Sequence, residues 1–74
     1  MNARVVQGLR DFMAEHEISQ ASVARHLDRS AAYVSKRMSG ELDLTVDIMA
    51  AVADLARISP YALMAELTSR MLPR

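Results

Sequence analysis

Three stretches of this chain carry the same signal for starting a helix, and that repetition limits the fold more than any other feature. In each, a Ser or Thr follows an apolar residue, and another apolar residue comes five positions after the first. Ile18-Ser19 pairs with Val23, Leu44-Thr45 with Met49, and Ile58-Ser59 with Leu63. A hydroxyl at the N-cap accepts one of the free backbone N–H groups of the first turn. The flanking apolar pair forms a hydrophobic staple that sets the direction from which the chain approaches the helix. Pro60 strengthens the third start, because its missing N–H costs nothing at the first helical position. A fourth hydroxyl, Ser30, is placed to cap a helix beginning at Ala31. Glycine and proline are rare, with two of each, and no Asn-Gly or Asp-Gly hairpin dipeptide occurs. The chain is therefore read as all-α.

Apolar spacing sets the remaining boundaries. Val5, Leu9, Phe12, Met13 and His16 form one stripe at helical spacing, on a first helix from about Asn2 to Glu17. The others are expected at about 19–27, 30–39, 46–57 and 60–71. Their inward residues are expected to be Val23, Ala24 and Leu27; Val34 and Met38; Ile48, Val52, Leu55 and Ala56; and Leu63 or Met64, Leu67 and Met71. Gly40 is a natural left-handed stop after the third helix, and Pro73 closes the last. No internal repeat, low-complexity segment or linker is visible, so residues 1–74 are read as one domain.

Composition narrows the class. The 74 residues contain no cysteine, which excludes a disulfide framework and thiolate metal ligation. Apolar residues make up 51% and the formal net charge is zero, so disorder is not expected. There is neither an apolar run of about 18 residues nor a signal-type leader, and a cytoplasmic protein without membrane contact is expected. A zero net charge also seems to argue against nucleic acid, whose binding is dominated by phosphate neutralisation. The charge is unevenly spread, however. Residues 1–40 carry six basic and four acidic side chains, and residues 41–74 carry three and five. Within 19–40 the basic residues Arg25, Arg29, Lys36 and Arg37 face only Asp28. Local charge, not the total, decides what a surface attracts.

Two short helices joined by about three residues, the second of them cationic, have the form of a helix-turn-helix. Ala24 provides a small residue where the two helices cross, and Val34 fills the angle between them. The start of the second helix points outward with free N–H groups and a partial positive charge. The major groove of DNA admits one helix.

The strings Gln20-Ala21-Ser22-Val23-Ala24-Arg25-His26-Leu27 and Ser30-Ala31-Ala32-Tyr33-Val34-Ser35-Lys36-Arg37-Met38-Ser39-Gly40-Glu41 resemble the Cro/repressor-type (Xre-like) helix-turn-helix domain. The chain is most similar to the short regulators of actinobacteria and their phages, and the likeness extends over nearly its whole length. It implies a compact five-helix, lambda-repressor-like DNA-binding domain with the motif at helices two and three. Carried over by position, Ala31, Ala32, Ser35 and Lys36 would face base edges. Gln20, Arg29, Ser30, Tyr33, Arg37 and Ser39 would touch the DNA backbone, which positions a protein without reading sequence. Each residue also has a plain structural role open to it. Gln20 suits a helix start, the alanines are helix formers, Tyr33 is a core-edge ring, and Lys36 and Arg37 fit a solvated face. The chain departs from the family at two places. Asp28 stands where members usually carry glycine, and Arg29 stands where they usually carry an apolar residue. Asp tolerates the left-handed conformation better than most residues, and Arg29 must lie outward or snorkel.

A lone motif of this size makes few phosphate contacts, and dimers overcome this by reading two half-sites. The last two helices carry more apolar groups than one core stripe needs. A homodimer is expected through Met64, Leu67, Met71 and Leu72, with double-stranded DNA as the other partner. No catalytic set, cofactor, metal site or small-molecule ligand is expected. His16 and His26 have no partners at ligand spacing, and there is no phosphate loop or nucleophile elbow. The leading expectation is a sequence-specific transcriptional regulator. The alternative is a helical protein–protein adaptor or antitoxin-like module with the same fold and little DNA binding, which the acidic Glu41–Asp47 segment favours.

Overall fold

The computed structural model describes residues 3–71, whose regular elements are α1 (Ala3–Glu15), α2 (Gln20–Leu27), α3 (Ala31–Met38), α4 (Val46–Ala56) and α5 (Pro60–Met71). Asn2, Leu72 and Pro73, to which the sequence assigns a helix start, a dimer contact and a stop, lie outside the described residues.

Serine starts three of these helices in the expected way. Ser19 Oγ accepts from Ser22 N at 3.0 Å, Ser30 Oγ from Tyr33 N at 3.1 Å and Ser59 Oγ from Ala62 N at 3.0 Å. Each such cap is worth about 1 kcal/mol. Thr45 differs. Its backbone is extended, as a cap requires, but its hydroxyl makes no capping bond and donates instead to Asp47. Asp47 Oδ1 in turn accepts from Ile48 N at 2.9 Å.

The stops follow a rule that the sequence does not display. Glu17, Asp28 and Arg57 all take left-handed backbone, with φ of 57°, 54° and 61°. At each, two backbone bonds close the last turn. Ile18 N donates to Met13 O at 2.8 Å, Arg29 N to Ala24 O at 2.9 Å and Ile58 N to Ala53 O at 3.0 Å. The preceding N–H groups of Glu17, Asp28 and Arg57 reach Ala14 O, Arg25 O and Asp54 O. This is the Schellman closure, which usually employs glycine. Here only α3 ends with one, Gly40 at φ 87°. The turn at Glu17 ends α1 at Glu15, before the expected boundary. Three of the four connections are thus one device, a left-handed residue, then a closing residue, then a serine cap. It reads Glu17-Ile18-Ser19, Asp28-Arg29-Ser30 and Arg57-Ile58-Ser59.

These tight corners stack the helices around one core. α1 packs on α5, α2 on α3 and α4, and α4 on α5, with α4 and α5 meeting at 101°. Leu9, Phe12, Val23, Val34, Met38, Ile48, Val52, Leu63 and Leu67 are all under 2% exposed. Fully burying such a side chain stabilises by about 1.5–3 kcal/mol. Leu27, Leu55 and Ala56 are half-buried against this cluster, as are Ile18 and Ile58. His16 is exposed rather than inward; its ring centre lies 4.1 Å from that of Phe12, with the two planes tilted by 31°. On α5 the core takes Leu63 and leaves Met64 47% exposed. Leu67 corrects the expected dimer face, because at 1% exposure it is spent in the core and offers nothing to a second chain. Met71 is half-buried.

One ion pair ties the ends of α1 and α5. Arg70 donates through both terminal nitrogens to Glu15, at 2.5 and 2.8 Å. The hydrogen bond from Arg70 holds the Glu15 carboxyl below its usual range, against a smaller opposing effect of burial. No single described helix is long and apolar enough to cross a membrane.

Candidate nucleic-acid interface

The corner between α2 and α3 builds the candidate surface. Ala24, buried at 5%, and Val34, fully buried, lie where the two helices pack. Asp28 takes the left-handed conformation that the resemblance implies for the residue in its place. Ser30 then caps α3, which leaves Ala31, Ala32, Ser35 and Lys36 all exposed along the helix. These are the four residues expected to read base edges, and none of them makes a side-chain hydrogen bond or ion pair with the described residues.

Tyr33 organises the neighbouring surface. Its ring is half-buried against the core. Two guanidinium groups lie over it, that of Arg37 at 4.0 Å from the ring centre and that of Arg29 at 4.8 Å. Such cation–π contacts are worth about 0.5–1 kcal/mol at exposed sites. The phenol donates to Asp47 Oδ2 at 2.9 Å, which joins α3 to the start of α4. The Thr45 hydroxyl is the main cause that holds the Asp47 carboxyl below its ordinary value. Burial opposes it, and the Tyr33 hydroxyl, the Ile48 N–H and the charge of Arg29 act in the same sense as Thr45.

Several residues expected to touch DNA backbone thus have work inside the chain. The Tyr33 phenol proton goes to Asp47. Arg37 is half-buried, and its Nη1 donates to Tyr33 O at 3.2 Å. Its Nε is buried without a hydrogen-bond partner among the described residues, so only part of this guanidinium faces outward. The Ser39 hydroxyl donates to Lys36 O at 3.0 Å within the last turn of α3, where it helps close the helix. Arg29 stays exposed, and Ser30 combines capping with exposure. Gln20, exposed at the first position of α2, opens on a groove of about 370 Å³. Arg10 and Asp11 of α1 line the same groove.

Two residues escape the sequence reading. Asp47 is 14 positions from Tyr33, and no local pattern announces their bond. The only hint is an acid two residues after a Thr cap, where the start of a helix favours negative charge. Arg10 lies on a helix assigned to the core, and only folding brings it beside Gln20. Among the described residues, no group of three or more His, Asp or Glu is placed to hold a metal ion. Compared with known proteins, the chain matches no family model, no curated protein and no solved structure.

Proposed function

We propose that this protein is a sequence-specific double-stranded-DNA-binding regulator of the Cro/repressor type. In this reading the five helices form a lambda-repressor-like domain, and α3 lies in the major groove. One observation carries the proposal. A helix capped so that its start faces solvent presents the side chains of Ala31, Ala32, Ser35 and Lys36, which make no hydrogen bond or ion pair with the described residues. Their chemistry suits a groove floor. Alanine methyls meet thymine methyls, Ser35 donates or accepts, and Lys36 favours guanine O6 and N7. Arg29 and Gln20 flank that face and suit phosphates. The deciding experiment is selection from a random duplex library, followed by titration of the winning sequence. Enrichment of a defined site, with binding that falls steeply between 50 and 200 mM salt and is lost in Lys36→Ala, is expected. Failure to enrich any sequence at low salt contradicts it.

The protein acts as a homodimer in this proposal, through a face somewhat different from the one first expected. Tyr61 and Val46 are 87% and 82% exposed, and Met64 is 47% exposed. Val46 and Met64 line an apolar cleft of about 360 Å³ with Val5, Met49, Ala50, Pro60 and Leu63. Sedimentation is expected to show a dimer at micromolar concentration, and Met64→Glu to abolish it. The same cleft favours the second reading, a helical protein–protein adaptor. A monomer that ignores duplex DNA at low salt would support that reading instead.

A further inference from the structure

We propose that Asp47 is a positioning residue for the phosphate-facing cations. It fixes Tyr33 by its hydroxyl, and the Tyr33 ring in turn holds Arg29 and Arg37. This inference rests on the DNA-binding reading for its functional consequence, but its structural core stands without it. A flexible arginine in a turn or on an eight-residue helix has little to hold it still. Here both guanidinium groups share one ring, at 4.8 and 4.0 Å, and the ring has few ways to move. Its hydroxyl donates to both Asp47 oxygens, at 3.2 and 2.9 Å. The carboxylate is itself locked by Thr45 and by Ile48 N. Asp47 therefore sets, from the start of α4, the orientation of Arg29 in the turn before α3 and of Arg37 on α3. It does so although its own negative charge, near a polyanion, acts against binding. Charge and positioning thus predict opposite signs for its removal, and that makes the role testable.

The experiment measures affinity of the full chain for its selected duplex in Asp47→Ala, Tyr33→Phe and Arg29→Ala/Arg37→Ala, alone and combined. Circular dichroism and thermal melting are recorded for each. Tyr33→Phe keeps every charge and the ring, and is expected to weaken binding about fivefold with little change in melting temperature. Asp47→Ala is expected to weaken binding as well, whereas a mere loss of repulsion would tighten it. In the double-arginine background Tyr33→Phe is expected to add nothing, because the tyrosine acts through those side chains. A second readout needs no DNA. In the free protein, ring-current shifts of the Arg29 and Arg37 side-chain protons are expected in the wild type and reduced in Asp47→Ala. If the wild type binds no duplex, the regulator reading fails and these shifts alone decide the positioning role. Tighter binding by Asp47→Ala, an undiminished effect of Tyr33→Phe without the arginines, or arginine shifts unchanged in Asp47→Ala overturns the proposal.

Discussion

The corner between α4 and α5 and the corner between α2 and α3 share a backbone and differ in purpose. Both end a helix on a left-handed non-glycine residue, close it with the same pair of backbone bonds, and restart with a serine cap. At Arg57-Ile58-Ser59 the closing residue is isoleucine, packed against the core. At Asp28-Arg29-Ser30 it is arginine, exposed and stacked over Tyr33. The corner between α1 and α2 uses isoleucine as well. The turn geometry therefore does not demand a cation, and Arg29 gives up apolar burial for charge. A residue that forgoes stability at one of three equivalent positions is best understood by what that corner faces.

Exchanging the two closing residues probes this comparison most severely. Ile58→Arg places a cation where the chain half-buries an apolar side chain and is expected to destabilise by about 1–2 kcal/mol, read by urea unfolding. The reverse change, Arg29→Ile, is expected to raise stability by up to about 1 kcal/mol. It is also expected to weaken duplex binding and to lower the salt-dependence slope by about one unit. An Arg29→Ile protein that binds DNA as well as the wild type would remove the functional meaning of the difference.

Glycine at the left-handed positions sharpens the comparison with smaller effects. A non-glycine residue pays roughly 1–2 kcal/mol in this conformation, and glycine returns about half of that as lost chain entropy. Arg57→Gly is expected to stabilise by about 0.5–1 kcal/mol, measured by thermal melting. Asp28→Gly is expected to gain less, since Asp tolerates the conformation better. The smallest effect is expected away from both corners, at the Glu15–Arg70 pair. The Glu15 carboxyl titrates below its ordinary value of 4.5 in the folded protein. Its contribution is therefore present above that pH and lost as pH falls through the lower folded value. Glu15→Gln is expected to melt slightly earlier at pH 7 and together with the wild type in strong acid. The pair is exposed, and screening keeps the difference small.

The starts of α2, α3 and α5 were legible because a serine cap is a local event, written within four residues. The stops were legible in position, within about two residues, but not in the way they close, because Glu17 and Arg57 carry no glycine to mark a left-handed turn, and the backbone bonds that close it belong to any residue type. The helix count and most of the core followed from spacing. On α5 the spacing left Leu63 and Met64 both open, and only the angle against α4 chooses Leu63. Leu67 was read both as an inward residue and as part of an interface, since a stripe shows which residues are apolar but not which side meets the neighbour, and the fold keeps only the inward role. The exposed α3 face was legible from the cap at Ser30 and the buried pair Val34 and Met38. The bond from Tyr33 to Asp47 was not, because it joins two helices across a loop.

The central claim is that the outward face of α3 meets duplex DNA, and amide chemical-shift mapping tests it directly. A ¹⁵N-labelled sample titrated with the selected duplex is expected to shift most at Gln20 and from Arg29 to Lys36, with α5 little changed. Shifts confined to α4 and α5, or none at low salt, would contradict the account.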